Sequence, residues 1–281
     1  AFLSLPTPAP GCPVWQQDSG GYVKLSHNAL GNLVNRYRAV LKKCRLLNTF
    51  GILLLAGCCV VGRGGAVSAE PLYGQKETSR NASVTGGTVS TDQGASGVFG
   101  GYSYYYESWP WSSYSNSATG NSVTITGGTY TSERTQAGDN IAVAGGYANR
   151  KADGNSVTIT GGNFDGGDIY GGAVTDQKGF ADRGSADNNI VSLHNATGRV
   201  DFIAGGYANT DSRDEKGASA SGNAVTVGSG ITVGGKSFLI NGKEENVSVA
   251  GGFATTEANG NSVTISGGTF NGSVFGGIAI S

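Results

Sequence analysis

The chain has 281 residues, of which 49 are glycine and only 14% are charged, whereas ordinary globular domains carry about 7% glycine and about 25% charged residues. This composition excludes an ordinary mixed α/β domain. The balance of 19 basic against 20 acidic residues gives no electrostatic reason to expect nucleic acid as a partner. All four cysteines lie in the first 59 residues, so the remainder of an exported chain would have to be stabilised without disulfides.

The first 69 residues divide into two segments. Residues 1–35 have no pattern typical of a fold and are interpreted as upstream or misassigned sequence; the chain has no methionine, which indicates a fragment or a later true start. Residues 36–69 are predicted to be a signal peptide, because basic residues precede an apolar stretch and Ala-Val-Ser-Ala ends at Ala69. The stretch has about sixteen residues, fewer than the roughly 20 that span a bilayer, so export is favoured over anchoring.

A second processing signal overlaps the first. The string LLAGC at residues 54–58 resembles the lipobox of bacterial lipoproteins, in which Cys58 would carry the lipid. Such short patterns are weakly specific in an apolar stretch rich in Leu, Ala and Gly, so cleavage after Ala69 is favoured. The mature chain is predicted to begin near Glu70 and to have no stable membrane span.

Residues 70–281 contain two alternating motifs, each present six times. The first is Asn-x-Val-Thr-Ile-x-Gly-Gly, with a degenerate copy, ASVTGGTV, at residues 82–89. The second places apolar residues before Gly-Gly and usually an aromatic residue or Ala after it, as in AGGY at residues 144–147. The asparagines of the first motif are 34, 34, 34 and 38 residues apart: Asn121, Asn155, Asn189, Asn223 and Asn261. Strict alternation of this kind identifies a repeat array.

Each repeat is predicted to be a set of short strands. Val123 and Ile125 alternate with Ser122 and Thr124, the period of two that is typical of a strand with one buried face. Both Gly-Gly pairs are predicted to be corners, because glycine reaches positive φ without steric cost. The shortest copy has about 21 residues, enough for strand, corner, strand, corner and strand.

These features predict an all-β fold, a parallel β-helix of about six coils over residues 70–281. One coil cannot bury its apolar side alone, but coils stacked about 4.8 Å apart would pair each strand with its equivalents. A helical bundle is excluded by the frequent glycine pairs, and a β-propeller would need about 40 to 45 residues for each blade.

The motif asparagines have two interpretations. If they lie one above another, each side-chain amide can donate a hydrogen bond to the next coil, forming a ladder. Alternatively, Asn is simply a favourable turn residue before a strand. The sequence does not decide between them, and neither interpretation implies catalysis.

The repeats resemble a known family. Copies such as NSVTISGGTFNGSVFGGIA are similar to the glycine-rich passenger repeats of bacterial autotransporters (type V secreted proteins) and related adhesins, over residues 82–281. The resemblance implies a parallel β-helix displayed outside the cell. Members of that family end in a membrane-embedded translocator barrel, which is therefore expected downstream of Ser281 or on another chain, since the sequence stops in mid-pattern.

Catalytic chemistry has little support in the sequence. Carbohydrate-active β-helices need carboxylates that converge on one face, often with a basic residue. The best candidates are Asp165, Asp168 and Asp201 with Arg199, but Asp165 and Asp168 are interpreted as turn residues. His194 is the one histidine after residue 69 and is expected to point outward. No catalytic residue, metal site or cofactor is predicted.

An aromatic segment at residues 102–114 separates the first and second copies. It could bind a sugar or a protein partner, because Tyr and Trp offer large contact areas with a polar group. The favoured interpretation is that it covers the edge of the first coil. The segment contains Tyr102, Tyr104, Tyr105, Tyr106, Trp109, Trp111 and Tyr114.

The sequence therefore predicts an exported, non-catalytic structural or adhesive module at the bacterial cell surface. A host surface protein or glycan is the expected partner. The alternative is a carbohydrate-active β-helix enzyme, a polysaccharide lyase or hydrolase, which would show a cluster of acidic and basic side chains in a groove. A passenger module would instead show flat rows of Ser, Thr and Asn.

Overall fold

The structure is a computed structural model that describes residues 70–106, 115–176, 184–210 and 217–280. Within these ranges every regular element is a β-strand and there is no helix, which confirms the predicted all-β class. The segment 1–35, the predicted signal peptide 36–69 and its Cys58 lie outside the described residues.

Twenty-two strands make up the described part of the chain. In the first half they are β1 Leu72–Glu77, β2 Ser83–Thr85, β3 Thr88–Thr91, β4 Val98–Ser103, β5 Ser117–Thr119, β6 Ser122–Ile125, β7 Thr129–Thr131, β8 Glu133–Arg134, β9 Asn140–Ala148, β10 Ser156–Ile159 and β11 Asn163–Asp165. In the second half they are β12 Asp168–Asp176, β13 Ile190–Leu193, β14 Thr197–Val200, β15 Phe202–Thr210, β16 Ala224–Val227, β17 Ile231–Val233, β18 Lys236–Ile240, β19 Lys243–Ala254, β20 Ser262–Ile265, β21 Thr269–Phe270 and β22 Ser273–Ala279.

The strands form three larger sheets and one pair. The nine-stranded sheet has the order β1-β4-β9-β12-β15-β19-β18, with β22 on β19 and β8 on β9. The six-stranded sheet runs β20-β16-β13-β10-β6-β3, the five-stranded sheet runs β21-β17-β14-β11-β7, and β2 pairs with β5. Neighbouring strands are parallel, except where β18 and β8 fold back on β19 and β9. Consecutive repeats therefore contribute neighbouring strands to each sheet.

Equivalent residues of consecutive repeats are hydrogen-bonded partners. In the six-stranded sheet, Val123 pairs with Val157, and Val157 with Val191. The same register continues through Val225 to Val263. Because a slip of one residue would move every apolar side chain to the opposite face, the repeated alternation fixes this register.

The apolar faces of all three larger sheets contribute to one hydrophobic cluster. Val123 and Ile125 of the six-stranded sheet, Tyr130 of the five-stranded sheet and Val143 of the nine-stranded sheet all belong to it, and none is exposed to solvent. The burial alternates along β6, as the sequence predicts. Burial of about 25 cal/mol per Å² of apolar surface is the main stabilising contribution.

The two kinds of Gly-Gly pair have different roles. The pair of the first motif lies at a corner, as predicted, and its second glycine has positive φ, for example 91° at Gly128 and 105° at Gly162. The prediction of a second corner is wrong. Gly145 and Gly146 lie inside β9, and the corresponding pairs lie inside β4, β12, β15, β19 and β22.

Close packing explains why the second pair is glycine. A Cβ on Gly146 would lie 2.5 Å from Nδ2 of Asn155 and 2.6 Å from the carbonyl oxygen of Ala118. The equivalent glycines of other repeats, Gly101, Gly172, Gly206 and Gly252, are crowded by the motif asparagine in the same way. These glycines therefore allow the strand to approach an asparagine side chain.

The glycine pair also interrupts the alternation of the strand. Ala144 and Tyr147 are three residues apart, yet both pack in a second hydrophobic cluster on the other face of the nine-stranded sheet. Phe99, Tyr170 and Phe253 belong to the same cluster and are fully buried. The nine-stranded sheet is thus buried on both faces, which a simple alternation of inside and outside residues would not predict.

Candidate functional site

The five motif asparagines form a continuous hydrogen-bonded ladder. The backbone N–H of Asn121 donates to Oδ1 of Asn155 at 2.9 Å, and its Nδ2 donates to the same oxygen at 3.0 Å. Asn155 makes the same two bonds to Asn189 at 2.8 and 3.0 Å. Asn189 repeats them to Asn223, and Asn223 to Asn261. Each Oδ1 from Asn155 onward therefore accepts two hydrogen bonds from the preceding asparagine, and Oδ1 of Asn121 accepts one from the backbone N–H of Gly87 at 2.8 Å.

The ladder is buried and extends to the backbone. Asn121, Asn155, Asn189 and Asn223 are at most 1% exposed. Nδ2 of Asn155 also donates to the carbonyl oxygen of Ala118 at 3.0 Å. The ladder and turn interpretations are compatible, since each asparagine directly precedes a strand of the six-stranded sheet. Its role is structural, because these polar atoms bond to one another and to the backbone.

The described part of the aromatic segment packs on the nine-stranded sheet. Tyr102 is a residue of β4 and pairs in register with Tyr147 of β9, and the two rings stack at 5.3 Å. Tyr104 also packs against Tyr147, with ring centroids 5.5 Å apart. Tyr102 and Tyr104 are only 4% and 2% exposed. They are core residues, so neither is part of an exposed ligand loop.

The predicted cover for the first edge also needs correction. The strand on the outer side of β4 is β1, so residues 72–77 occupy that edge in place of Tyr102 and Tyr104. The backbone of Tyr105 exchanges hydrogen bonds with the side chain of Asn149, and Tyr106 is 50% exposed. Trp109, Trp111 and Tyr114 lie outside the described residues.

A buried ion pair joins two distant repeats on the second face of the nine-stranded sheet. Nζ of Lys236 lies 2.7 Å from Oδ2 of Asp168, although 68 residues separate them. The hydroxyl of Tyr170 donates to the same carboxylate oxygen at 2.8 Å. The Asp168 side chain is 4% exposed and that of Lys236 is 32% exposed. Asp168 is thus a buried, paired carboxylate and not the exposed turn residue that the sequence indicates.

The other acidic candidates lie beside this pair but have structural partners. Oδ2 of Asp201 accepts a hydrogen bond from the backbone N–H of Gly167 at 3.0 Å, which fixes the turn before β12. Arg199 lies 3.5 Å from Asp201 in an exposed ion pair, and it is the register partner of Asp165. The structure therefore brings all four sequence candidates to one region. Hydrogen bonds and ion pairs give structural partners to Asp168, Asp201 and Arg199.

Lys236 was not predicted as a site residue. It begins β18, in the insertion that lengthens the spacing between Asn223 and Asn261 to 38 residues. From β18, Phe238 packs on Phe253 with ring centroids 4.3 Å apart. The longer spacing was the one signal of the insertion, and it gives no indication that the lysine reaches back to Asp168.

The electrostatics of the pair follow from its burial. Burial raises the pKa of the Asp168 carboxyl, and this effect exceeds the opposing attraction of the Lys236 ammonium and its hydrogen bond. Burial also raises the pKa of Tyr170 well above its ordinary value, so its hydroxyl remains a donor to Asp168. The ion pair ties the start of β18 to the start of β12.

Replacing Lys236 by Met is expected to lower the free energy of unfolding by about 2 kcal/mol at pH 8, because it leaves Asp168 buried without its cation. The pKa of Asp168 in the folded state should then rise further above its unfolded value. The cost of burying the charged carboxylate is largest when the pH is above the pKa of Asp168 in the folded state. This cost disappears as the pH falls below the pKa of the same group in the unfolded state. Urea denaturation at pH 8 and pH 4 measures the difference. An equal loss at both values would contradict this assignment.

His194 is exposed, and its Nε2 lies 3.0 Å from Oγ of Ser192. Among the described residues, no carboxylate is hydrogen-bonded to His194, so a Ser-His-Asp arrangement is not formed there. The described ranges also contain no group of three or more His, Cys, Asp or Glu residues that could hold a metal ion.

The outer face of the six-stranded sheet carries a row of hydroxyl groups. The row lies on the face opposite the buried valines, and its members are partly or fully exposed. Residues in the row are neighbours in register: Ser90, Thr124, Thr158, Ser192, Thr226 and Thr264. A face of this kind is flat, uncharged and repetitive, and it contrasts with the groove of charged groups expected for a lyase.

Across residues 70–280, as far as they are described, no helix is long and apolar enough to cross a membrane. Comparison of the whole chain with models of known protein families, with curated proteins and with solved structures gave no match.

Proposed function

We propose that residues 70–281 form a parallel β-helix of about six coils that serves as a non-catalytic structural or adhesive module on the bacterial cell surface. The observation that supports this most strongly is the in-register parallel pairing of equivalent strands, from Val123 to Val263. Strands stacked in this way propagate along one axis, so the length of such a module is set by the number of repeats.

The distribution of side chains also favours a display role. The hydroxyl row on the six-stranded sheet is uncharged, whereas the sequence between the motifs carries most of the charges, as in DSRDEKG at residues 211–217. The resemblance of the repeats to autotransporter passengers fits this arrangement. Surface display would also require the signal peptide 36–69 and a translocator barrel supplied downstream or by another chain.

Two measurements test the proposal. Expression of the full chain in a Gram-negative host, followed by cell fractionation and N-terminal sequencing, should give an exported product that begins at Glu70. Fatty-acid labelling that depends on Cys58 would instead indicate a lipoprotein.

Beads coated with the purified chain should adhere to glycan- or protein-coated surfaces more than beads coated with albumin. A cytoplasmic, uncleaved product that shows no adhesion would contradict the proposal.

A carbohydrate-active enzyme is the second candidate, and one observation favours it. Asp168, Asp201 and Lys236 lie in one region, which resembles the grouping of acidic and basic side chains that such enzymes need. Release of reducing ends or unsaturated products from pectin-like polymers, abolished by Asp201→Asn, would establish this function. Equal rates for the variant and the original chain would remove the argument for this site.

A further inference from the structure

A small cavity lies where β1 and β4 meet the turn that follows β8. It has a volume of about 140 Å³ and opens to solvent past the exposed side chains of Lys76 and Arg134. None of the candidate residues considered above, apart from Tyr102, contributes to it. Its lining consists of aromatic, charged and hydroxyl-bearing side chains: Tyr73, Lys76, Phe99, Tyr102, Glu133 and Arg134, with Thr78, Thr135 and Gln136 at the margin.

Aromatic rings form one wall of this cavity and hold a lysine in place. The Tyr73 ring stacks on the Phe99 ring with centroids 5.2 Å apart. The rings of Tyr73 and Tyr102 meet edge to face with centroids 5.5 Å apart. Nζ of Lys76 lies 4.2 Å from the ring centre of Tyr73 and 5.5 Å from that of Tyr102. Because an ammonium is attracted to a ring face, the two tyrosines position the Lys76 charge at the cavity.

The opposite wall carries charges of both signs. Oε2 of Glu133 accepts a hydrogen bond from the Ser96 hydroxyl at 3.1 Å, which orients the carboxylate and leaves its other oxygen available to a further donor. Among the described residues, neither Lys76 nor Arg134 takes part in an ion pair within 4.0 Å. The cavity therefore has two cations against one carboxylate, so a ligand with a negative charge is favoured.

Both tyrosines can contribute hydroxyl groups at neutral pH. Burial, assisted by the Glu133 carboxylate, raises the pKa of Tyr73, and burial also raises that of Tyr102. The walls are thus held by packing and hydrogen bonds before any ligand enters.

The size of the cavity limits the ligand to one ring. A cavity of about 150 Å³ in another protein holds a single benzene molecule, so a volume of about 140 Å³ has room for one ring and not for two, and the substituents of a larger ring would extend through the opening. A saccharide unit with an anionic group matches the lining, because its charge would meet Lys76 and Arg134 while its hydroxyls reach Glu133. A neutral sugar would form no ion pair with either cation.

We propose that this cavity binds one anionic saccharide unit, with its carboxylate or sulfate group on Lys76 and Arg134 and a ring hydroxyl donating to Glu133. The proposal rests on the adhesive role given above and assigns that role a ligand class. It concerns binding by the purified chain, so it can fail while export and display are upheld.

The test measures binding of glucuronate, glucose 6-sulfate, glucose and inorganic sulfate to the full chain by saturation-transfer NMR titration. We expect at least one of the anionic sugars to bind with a Kd of about 1 mM. We expect glucose to bind at least about tenfold more weakly, because each charge-assisted contact contributes about a factor of ten. Comparison of the carboxylate sugar with the sulfate sugar identifies the anionic group.

Substitutions then locate the site. Lys76→Met and Arg134→Met should each weaken binding at least about tenfold, and both residues are exposed, so the variants should fold. Lys151→Met is the matched control, since Lys151 is an exposed lysine paired with Asp153 outside the cavity, and its affinity should not change. Circular dichroism verifies folding of each variant.

Three results would overturn the proposal. One is the absence of binding by both anionic sugars. Another is retention of full affinity in Lys76→Met and Arg134→Met. The third is inorganic sulfate binding as tightly as the anionic sugars, which would indicate a simple anion site with no selectivity for a saccharide.

Discussion

Replacement of Asn189 by Ala is expected to lower the free energy of unfolding by about 4 kcal/mol. The variant loses the acceptor for the backbone N–H and Nδ2 of Asn155 and the donor to Oδ1 of Asn223. The backbone N–H of Asn155 would be left buried without a partner, at a cost of about 1 to 3 kcal/mol, and the remaining loss comes from the missing bonds and the space left behind. Equilibrium urea denaturation followed by circular dichroism measures the change.

Asn163→Ala is the matched control for this experiment. Asn163 is exposed on β11, and its side-chain Oδ1 accepts a hydrogen bond of 3.3 Å from the hydroxyl of Thr197, while its backbone N–H bond to Gly128 would survive the substitution. Its replacement should change the free energy of unfolding by less than about 0.5 kcal/mol. If Asn189→Ala were no more destabilising than Asn163→Ala, the ladder would not be a major source of stability.

Replacement of Gly146 by Ala is expected to be comparably severe, with a loss of about 3 to 4 kcal/mol. Its Cβ would lie 2.5 Å from Nδ2 of Asn155 and 2.6 Å from the oxygen of Ala118, the two atoms of one ladder hydrogen bond. The nitrogen belongs to a packed side chain and the oxygen to the backbone. Strand β9 would therefore have to move away from both atoms and break that hydrogen bond. Urea denaturation and the yield of soluble protein measure the effect.

Gly154→Ala separates crowding from backbone strain. Gly154 has a φ of 66°, but no atom lies within 4 Å of an added Cβ. The left-handed conformation should cost an alanine about 1 to 2 kcal/mol. A larger loss at Gly154 than at Gly146 would mean that the strand does not pack against Asn155 as closely as described.

Much of the fold could be predicted from the sequence because the information is local and repeated. The alternation of Val123 and Ile125 with hydroxyl residues defines both the strand and its buried face. The spacing of Asn121 and Asn155 defines which strands are equivalent, and equivalent strands are neighbours in the structure. Repetition therefore supplied the pairing, which a single copy of the motif could not.

The role of the second glycine pair could not be read from the sequence. Gly127-Gly128 and Gly145-Gly146 look alike as strings, but the first pair turns the chain and the second makes room for a side chain from another part of the repeat. Glycine serves both purposes, and the sequence alone does not identify the approaching group.

Residues of the second cluster were misread for a related reason. Tyr102 looks like the start of an aromatic insertion, yet it occupies the same motif position as Tyr147, Tyr207 and Phe253. The second motif aligns Tyr102 with these residues, but the glycine pair before it is predicted to be a corner, so the sequence does not place Tyr102 inside a strand. The pairing of Lys236 with Asp168 has no such signal, because it joins an insertion found in one repeat to the first residue of β12, two repeats earlier.

The most direct test of the account is disulfide trapping between equivalent strands. In a chain with Ser at positions 12, 44, 58 and 59, Thr124→Cys with Thr158→Cys places the two thiols on register partners of neighbouring parallel strands. The strand spacing of about 4.8 Å lies within the range that a disulfide spans, whereas Thr124→Cys with Ser192→Cys is two strands, about 9.6 Å, apart. We expect mild oxidation to form the intramolecular disulfide in the first pair and not in the second. Efficient bonding of the second pair, or none in the first, would contradict the parallel in-register stacking of the repeats.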